Sequence, residues 1–527
     1  MKKRIISAAL SVVLLVALLL GSVQKSGQET LNIVDDNYRN YYEIFVGSFY
    51  DSDGDGMGDL NGVTQKLDYI SDLGFNGIWL MPIMPSPTYH KYDTTDYEAV
   101  DEAYGTAEDF ENLASACHEK GIRLIIDLAM NHSSSKHPWF VQACDYLAGL
   151  KDGEEPDDNV CPYVDYYHFS TTQESSTYYA VPGSDNWYYE GSFWSEMPDL
   201  NLESDAVRTE FEQIADYWIN EGIDGFRMDA AMHYEEGDTE ENNAILNWFY
   251  SYCKDKNPEF YMVSEVWANE QTIAEYYGSE TPSMFNFDAG TGEGKLVQAA
   301  RTGKPNRLID AMISYQDDFS AENAAYIDAL FLTNHDMVRV ANALNSDPDK
   351  LKTAAGLLMM MNGSPFVYYG EEIGMKSSGT KDENKRIPMV WSDTDKTGMT
   401  DGPVGMDAGI TSSFPAVDVQ LSDEDSLLNY YKRALRLRNE NPEIARGTVA
   451  KVEALCDGTQ AAVTKTCGDS VIGIVYSLGD DNTFIDISGT ELFGMKLAGQ
   501  LTLNSTDEVR LTDGKLEMPP RSIAVLK

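Results

Sequence analysis

Between residues 40 and 445, short and nearly continuous apolar runs alternate with longer helical patterns. The runs fall at 42–49, 77–82, 123–128, 225–230, 260–266, 284–287, 329–333 and 365–369. Apolar residues at consecutive rather than alternate positions suit strands buried on both faces, as in a parallel sheet covered by helices. The segments between them, for example 107–120 and 205–221, carry the apolar spacing of amphipathic helices. Strands that alternate with helices in this number predict an α/β fold, a (β/α)8 TIM barrel.

The rhythm breaks after the third strand. The stretch 132–201 is polar, rich in tyrosine and carries Cys144 and Cys161, and it reads as an inserted domain on the active-site side. From residue 446 the pattern changes to short alternating strands bounded by turn residues, at 461–465, 471–477 and 483–487. The expected organisation is a barrel from 36–131 and 202–445, an insert at 132–201, and an all-β antiparallel domain at 446–527.

The first residues differ in kind. Lys2, Lys3 and Arg4 precede an apolar run that ends at Leu20, which reads as a secretory signal over 1–22. Leu19-Leu20-Gly21-Ser22 has the shape of a bacterial lipoprotein signal, but Ser22 stands where the lipidated cysteine would be. An uncleaved segment that holds the protein to a membrane is the alternative. Either way the expected location is bacterial and extracellular, secreted or at the cell surface.

Composition narrows the partners. With 39 basic against 86 acidic residues, the net charge of −47 repels nucleic acid. The six cysteines include no CxxC pair, which argues against a zinc cluster. Cys144 with Cys161, and Cys456 with Cys467, are near enough in sequence to pair in an oxidising compartment, whereas Cys117 lies in a helical pattern and reads as a buried thiol. A monomer is expected.

The candidate chemistry lies at the C-terminal ends of the strands, where barrel enzymes place their active sites. The third strand ends in Asp127 and continues to Asn131 and His132. The fourth ends in Arg227 and Asp229, two residues apart and therefore on one face. The fifth ends in Glu265, followed by Val266 and Trp267, and the seventh runs into His335 and Asp336. Charged groups gathered on one rim are costly to bury without a function. Convergent carboxylates suit glycoside hydrolysis, which needs one ionised acid at the anomeric carbon and one protonated acid at the leaving oxygen. Arg227 would keep Asp229 ionised, and an apolar setting would raise the pKa of Glu265.

A second cluster follows the first strand. In Asp51-Ser52-Asp53-Gly54-Asp55-Gly56-Met57-Gly58-Asp59, four carboxylates at alternating positions and the Met57 carbonyl can converge on one hard cation while the glycines let the backbone wrap. Asp51, Asp53, Asp55, Met57 and Asp59 are the expected Ca2+ ligands.

The segments 127–132, 225–233, 265–267 and 331–336, with Met197-Pro198-Asp199-Leu200-Asn201, resemble the motifs of the α-amylase family, glycoside hydrolase family 13. The last motif points to the group intermediate between oligo-1,6-glucosidases and neopullulanases. The resemblance spans roughly residues 40 to 527 and implies that the C-terminal domain is a β-sandwich. It implies that Asp229 is the nucleophile of a retaining double displacement, Glu265 the general acid/base, and Asp336 the residue that holds the sugar hydroxyls in the transition state. His132, Arg227 and His335 match groups around the sugar in the cleavage subsite. Tyr92 matches a stacking tyrosine, and Asp93 an aspartate that grips a terminal glucose in exo-acting relatives. Arg339 is placed near the same subsite. Asn131, Asp199 and His233, the last through its carbonyl, match a second calcium site that oligo-1,6-glucosidase-like relatives lack.

Ala230 follows the nucleophile where α-1,6-specific members carry valine. The expectation is therefore an α-amylase that cleaves internal α-1,4 bonds of starch and maltodextrins. The alternatives are an exo-acting α-glucosidase or oligo-1,6-glucosidase, a neopullulanase, and a non-catalytic glycan binder. The last group characteristically loses catalytic carboxylates, and all three are present here.

Overall fold

The computed structural model describes residues 35–379, 381–407 and 412–527, so the signal-like segment 1–22 lies outside the described residues. Eight parallel strands form the central sheet. In chain order they are β1 (Tyr41–Ile44), β2 (Gly77–Leu80), β3 (Arg123–Leu128), β4 (Gly225–Met228), β5 (Tyr261–Ser264), β6 (Ser283–Met284), β7 (Ala329–Phe331) and β8 (Ser364–Tyr368). Neighbours pair in register from β1 to β6, β8 pairs with both β7 and β1, and a parallel bridge from Phe285 to Ala329 closes the ring. The fold is the expected barrel.

Its interior is filled, mostly with aromatic rings. Tyr41 stacks on Phe366 at 4.5 Å and on Tyr261 at 5.4 Å, and Trp79, Phe285, Phe287 and Phe331 complete the layer. This packing explains one glycine. A Cβ on Gly77 would stand 2.5 Å from the Tyr41 ring, so the first residue of β2 must be the smallest one. The outer faces of the strands pack under helices that include Ala107–Glu119, Asp205–Asn220 and Thr239–Lys256. The first is closed by a reciprocal capping box between Thr106 and Asp109.

Several strands stop earlier than their apolar runs. The run 42–49 leaves the sheet after Ile44 and becomes a 3-10 turn at Val46–Ser48, and 260–266 and 329–333 also end two residues short. The remaining apolar residues are buried all the same, against the helices and loops above the rim.

The insert contains the helix Pro138–Gly149 and a small antiparallel sheet of Phe169–Ser170, Tyr178–Ala180 and Tyr188–Glu190. The C-terminal domain is a five-stranded antiparallel sheet facing a three-stranded one. Val475, Ala524 and Leu526 of the first pack on Ile485, Leu516 and Met518 of the second, which makes the β-sandwich.

All six cysteines are free, so neither anticipated pair forms in this structure. The second pair fails for a simple reason. Cys456 lies against the Ala462 carbonyl, while Cys467 ends the extended strand Gln460–Cys467, roughly 16 Å further along at about 3.3 Å per residue. Cys161 points its thiol at the Gln142 carbonyl, and Cys117 is fully buried. Among the described residues no helix is long and apolar enough to cross a membrane.

Candidate active site

The ends of β3, β4 and β5 converge on one guanidinium. Arg227 is buried and donates to Asp127 at 2.9 Å and to Asp229 at 2.5 Å. Its other terminal nitrogen lies 3.1 Å from Glu265 Oε1. The backbone makes this possible at residue 230. Ala230 sits at φ +51°, a left-handed conformation that turns the chain sharply after Asp229 and aims its N–H at Glu265 Oε2, 3.0 Å away. A β-branched residue would be strained at that φ, so the small side chain has a backbone reason as well.

Glu265 has its pKa raised. Burial is the main cause, the nearby Asp229 and Asp336 add to it, and Arg227 opposes it. The direction agrees with the sequence expectation for a proton-holding acid. Asp336 is shifted the other way. Burial alone would raise it, but His335, Arg386 and Arg227 hold its carboxyl far below the usual carboxylate range. His335 is buried between two acids, with Nδ1 2.6 Å from Glu43 and Nε2 3.0 Å from Asp336. Burial works against its charge, yet these partners push it up to about 10, so the ring is cationic at neutral pH. Tyr92 stacks on that ring at 5.8 Å and donates its hydroxyl to Asp127 at 3.0 Å.

These groups open into one cavity of about 550 Å³, lined by Tyr92, His132, Asp229, Glu265, Asp336 and His233 among others. His132 is buried, its Nε2 has no protein partner, and burial lowers its pKa, so it presents a neutral ring. Trp267, 51% exposed, leans on Phe287 at 4.7 Å and forms part of the wall.

Two residues placed near the sugar by resemblance are engaged by protein groups. Asp93 is fully buried, and its Oδ1 is taken by the hydroxyls of Ser86, at 2.7 Å, and Thr88. Its Oδ2 is buried without a partner, and neither Asp93 nor Arg339 lines the cavity directly, as is also true of Arg227 and His335. The Arg339 guanidinium sits 4.1 Å over the Tyr368 ring and donates to the Tyr369 carbonyl at 2.6 Å.

Conversely, the structure brings in residues outside every motif. Arg386 Nη2 donates to Asp336 Oδ1 at 3.1 Å, and its Nη1 is shared between Asp382 and the Tyr89 hydroxyl. Asp382 and Arg386 both line the cavity. They follow β8, in a loop with no repeating pattern. The only sequence signal is an acid four residues ahead of an arginine.

The acidic loop after β1 converges in part. Carboxylate oxygens of Asp51, Asp53 and Asp59 all lie within 4.8 Å of one another, the only such acid group among the described residues. Gly54 at φ +89° and Gly56 at φ +94° supply the left-handed turns that let the loop close. Burial alone would raise the Asp51 pKa, but the N–H groups of Gly54, Gly56 and Asp53, which donate to it, hold the carboxyl below its usual range. Three acids around one point fit a hard cation such as Ca2+. Asp55 stays outside the cluster and accepts from the Met57 N–H at 2.7 Å instead.

The second expected cation set is thinner. Asn131 donates to Asp199 Oδ1 at 3.1 Å, and Asp199 Oδ2 accepts from the Ser192 N–H at 2.9 Å. The His233 ring turns to Glu236 at 2.8 Å, and the contribution expected of this residue is its carbonyl, not the ring. The set offers one carboxylate, so an ion that takes about 6–8 oxygens would draw its other ligands from amide and backbone carbonyls and water.

A closed (β/α)8 barrel whose rim gathers three carboxylates on one arginine defines a class of glycoside-cleaving enzymes, and comparison with known proteins agrees. The family described as the α-amylase catalytic domain matches residues 43–447, and the chain belongs to this α-amylase family of glycoside hydrolases. Alpha-amylase 3 of Dictyoglomus thermophilum is 40% identical over 456 residues, covering 85% of this chain and 86% of the relative. The solved structure of Eubacterium rectale Amy13B superposes with a TM-score of 0.90 at 41% identity, covering 94% of this chain and 96% of the other. The α-amylase from H. orenii gives a TM-score of 0.80 at 35% identity, covering 93% and 99%.

Proposed function

We propose that this protein is a secreted, monomeric, endo-acting α-amylase that cleaves internal α-1,4 bonds of starch and maltodextrins with retention. Asp229 attacks the anomeric carbon while Glu265, its pKa raised by burial, gives its proton to the departing oxygen. The bond from Asp229 to the sugar then breaks as water, deprotonated by Glu265, adds to the same carbon. Arg227 holds both carboxyls on one guanidinium, which suits the close spacing, about 5–5.5 Å, that retention requires. Asp336 stays ionised between His335 and Arg386 and is set to accept hydrogen bonds from sugar hydroxyls. Ca2+ in the Asp51–Asp53–Asp59 loop would be structural, tying the segment after β1 to the barrel rim.

One observation carries the endo reading. Asp93, the acid that could grip a chain end, is buried and commits its Oδ1 to Ser86 and Thr88, which supports the reading, while its Oδ2 is left without a partner. The two α-amylase relatives support the α-1,4 preference. The test is a time course on amylose with products resolved by length. Mixed maltodextrins should appear first, and glucose released alone from the outset would overturn the reading. Export is supported by the basic start and apolar run before Leu20. Activity confined to the cytosol of the source cell would refute it.

A further inference from the structure

β1 carries a charge that the reaction steps leave unused. In Tyr41-Tyr42-Glu43-Ile44, alternation puts Glu43 on the face of Tyr41, inside the barrel, and its side chain is buried. A buried carboxylate is costly unless it is paired and hydrogen-bonded. Here the partner is His335. Glu43 Oε1 lies 2.6 Å from the ring Nδ1 and also accepts the His335 backbone N–H at 3.3 Å.

The protonation of the ring follows from its neighbours. Nδ1 faces a carboxylate oxygen, which only accepts. Nε2 faces the Tyr92 hydroxyl at 2.7 Å and Asp336 Oδ2 at 3.0 Å. Tyr92 gives its one hydroxyl proton to Asp127 at 3.0 Å, so toward Nε2 it can only accept. Both ring nitrogens thus carry hydrogen, and each faces a carboxylate of its own. The acids on the Nε2 side are themselves held by arginines, Asp127 by Arg227 at 2.9 Å and Asp336 by Arg386 at 3.1 Å. Trp79 of β2 meets the ring edge-on at 5.5 Å, and Tyr368 of β8, the register neighbour of Glu43, is kept neutral by burial, so neither adds charge.

Asp336 is only as well placed as the ring beside it. A neutral ring with its hydrogen on Nδ1 would turn a lone pair toward the Asp336 carboxylate. A carboxylate behind an imidazole decides which nitrogens carry hydrogen and stabilises the cation.

We propose that Glu43 is a positioning residue for the reaction: it holds His335 doubly protonated, and through that ring keeps Asp336 ionised and aimed at the sugar hydroxyls. This rests on the α-glucan reading above. Glu43 does not line the cavity and acts only through the ring.

One arm of the test needs no change at Glu43. In the full chain labelled with 15N-histidine, the His335 ring signals, assigned by their loss in His335→Gln, should keep both N–H protons until near pH 10. Titration close to the ordinary histidine value of 6.5 would overturn the pairing. Glu43→Gln keeps the shape and removes the charge, and the midpoint should then fall by about 1–3 pH units. An unmoved midpoint would overturn the proposal as well.

The other arm reads kcat/KM on α-maltosyl fluoride, whose leaving group departs without a proton, so the acid role of Glu265 drops out. The deficit of Glu43→Gln should stay within about twofold near pH 6 and grow to about tenfold near pH 9, because the variant ring loses its proton in that window while the wild-type ring keeps it. In an Asp336→Asn background the same change should cost less than about twofold throughout, since its route to the substrate is already cut. A deficit that is flat across pH, or equal in the two backgrounds, would make Glu43 part of the scaffold only. If the wild type cleaves no α-glucosyl substrate, the α-glucan reading fails, and the ring signals still decide the pairing.

Discussion

Buried cations occupy both ends of this barrel, and their surroundings differ in kind. At the C-terminal rim Arg227 is ringed by Asp127, Asp229 and Glu265. At the base, ahead of β8, Lys465 and Arg438 meet neutral oxygens. Lys465 donates to the carbonyls of Met360 at 2.8 Å and Ile444 at 2.7 Å and to Asn362 at 2.6 Å. Arg438 donates to Asn40 and to the carbonyls of Met359, Met361 and Gly363. The rim sets carboxylates against one another, so that Glu265 is pushed up while Asp336 is held down. The base spends its cations on joints: Lys465 belongs to the C-terminal domain and closes it onto the barrel. One end is arranged to change protonation and the other to stay fixed, which is the usual division between the two faces of this fold.

If that division holds, substitutions at the rim remove activity and leave stability, and those at the base do the reverse. The largest expected effect is at Asp229. Asp229→Asn should lower kcat on amylose by about 10⁴-fold or more, since no other group can form the covalent bond. Its melting temperature should stay near wild type, because the amide still fills the same space beside Arg227. Near-normal turnover would remove Asp229 from the role.

Glu265→Gln comes next, with a loss of about 10²–10⁴-fold in kcat. Here the pH profile is the sharper readout. Glu265 must be protonated to release the leaving oxygen, and its pKa lies above the ordinary glutamate value of 4.5. Wild-type kcat/KM should fall as pH rises through that raised value, and the residual activity of Glu265→Gln should lack this alkaline limb. A limb that persists in the variant would assign it to another group.

How much of this was legible beforehand follows the same division. The eight strands could be read because both faces of each are buried, which writes an unbroken apolar run into the sequence. Their ends could not, because residues such as Val46 and Val266 remain buried after the ladder stops. The acids of the rim were legible because each closes a strand within a recognisable motif. A motif position does not fix what a side chain touches: Ser86 and Thr88 take one oxygen of Asp93, and Arg339 lies over the Tyr368 and Tyr369 rings. Arg386 was missed because it lies in a loop and earns its place only through the fold, by reaching Asp336 from fifty residues away.

At the base, Lys465→Met should cost about 3 kcal/mol, because three buried oxygens lose their donor. Thermal unfolding would record a fall of several degrees at unchanged kcat. The pH dependence gives a second check. Burial holds the Lys465 pKa well below 10.5 in the folded protein. Between that lowered value and 10.5 the unfolded chain binds the extra proton, so this group adds stability as pH rises through the window. The variant should lose that rise. A variant whose kcat falls in step with its melting temperature would break the separation of the two ends.

The smallest expected effect belongs to the loop after β1, which joins structure to the rim without touching the reaction. If Asp51, Asp53 and Asp59 hold Ca2+, excess chelator should lower the melting temperature, because an ion bound only by the folded state adds stability; at a hundredfold excess over Kd the gain is about 2.7 kcal/mol. The informative variant is Asp53→Asn. Asp59 also caps the helix Leu60–Gln65 through the Gly62 N–H, and Asp51 accepts from three backbone N–H groups, so replacing either would disturb the loop with or without an ion. Asn at 53 keeps the oxygen that accepts from the Asp55 N–H and removes only the charge. It should therefore melt close to the chelated wild type and respond weakly to chelator. A wild type indifferent to chelator would leave the acid cluster as a hydrogen-bonded turn, and the division between the two ends of the barrel would stand without it.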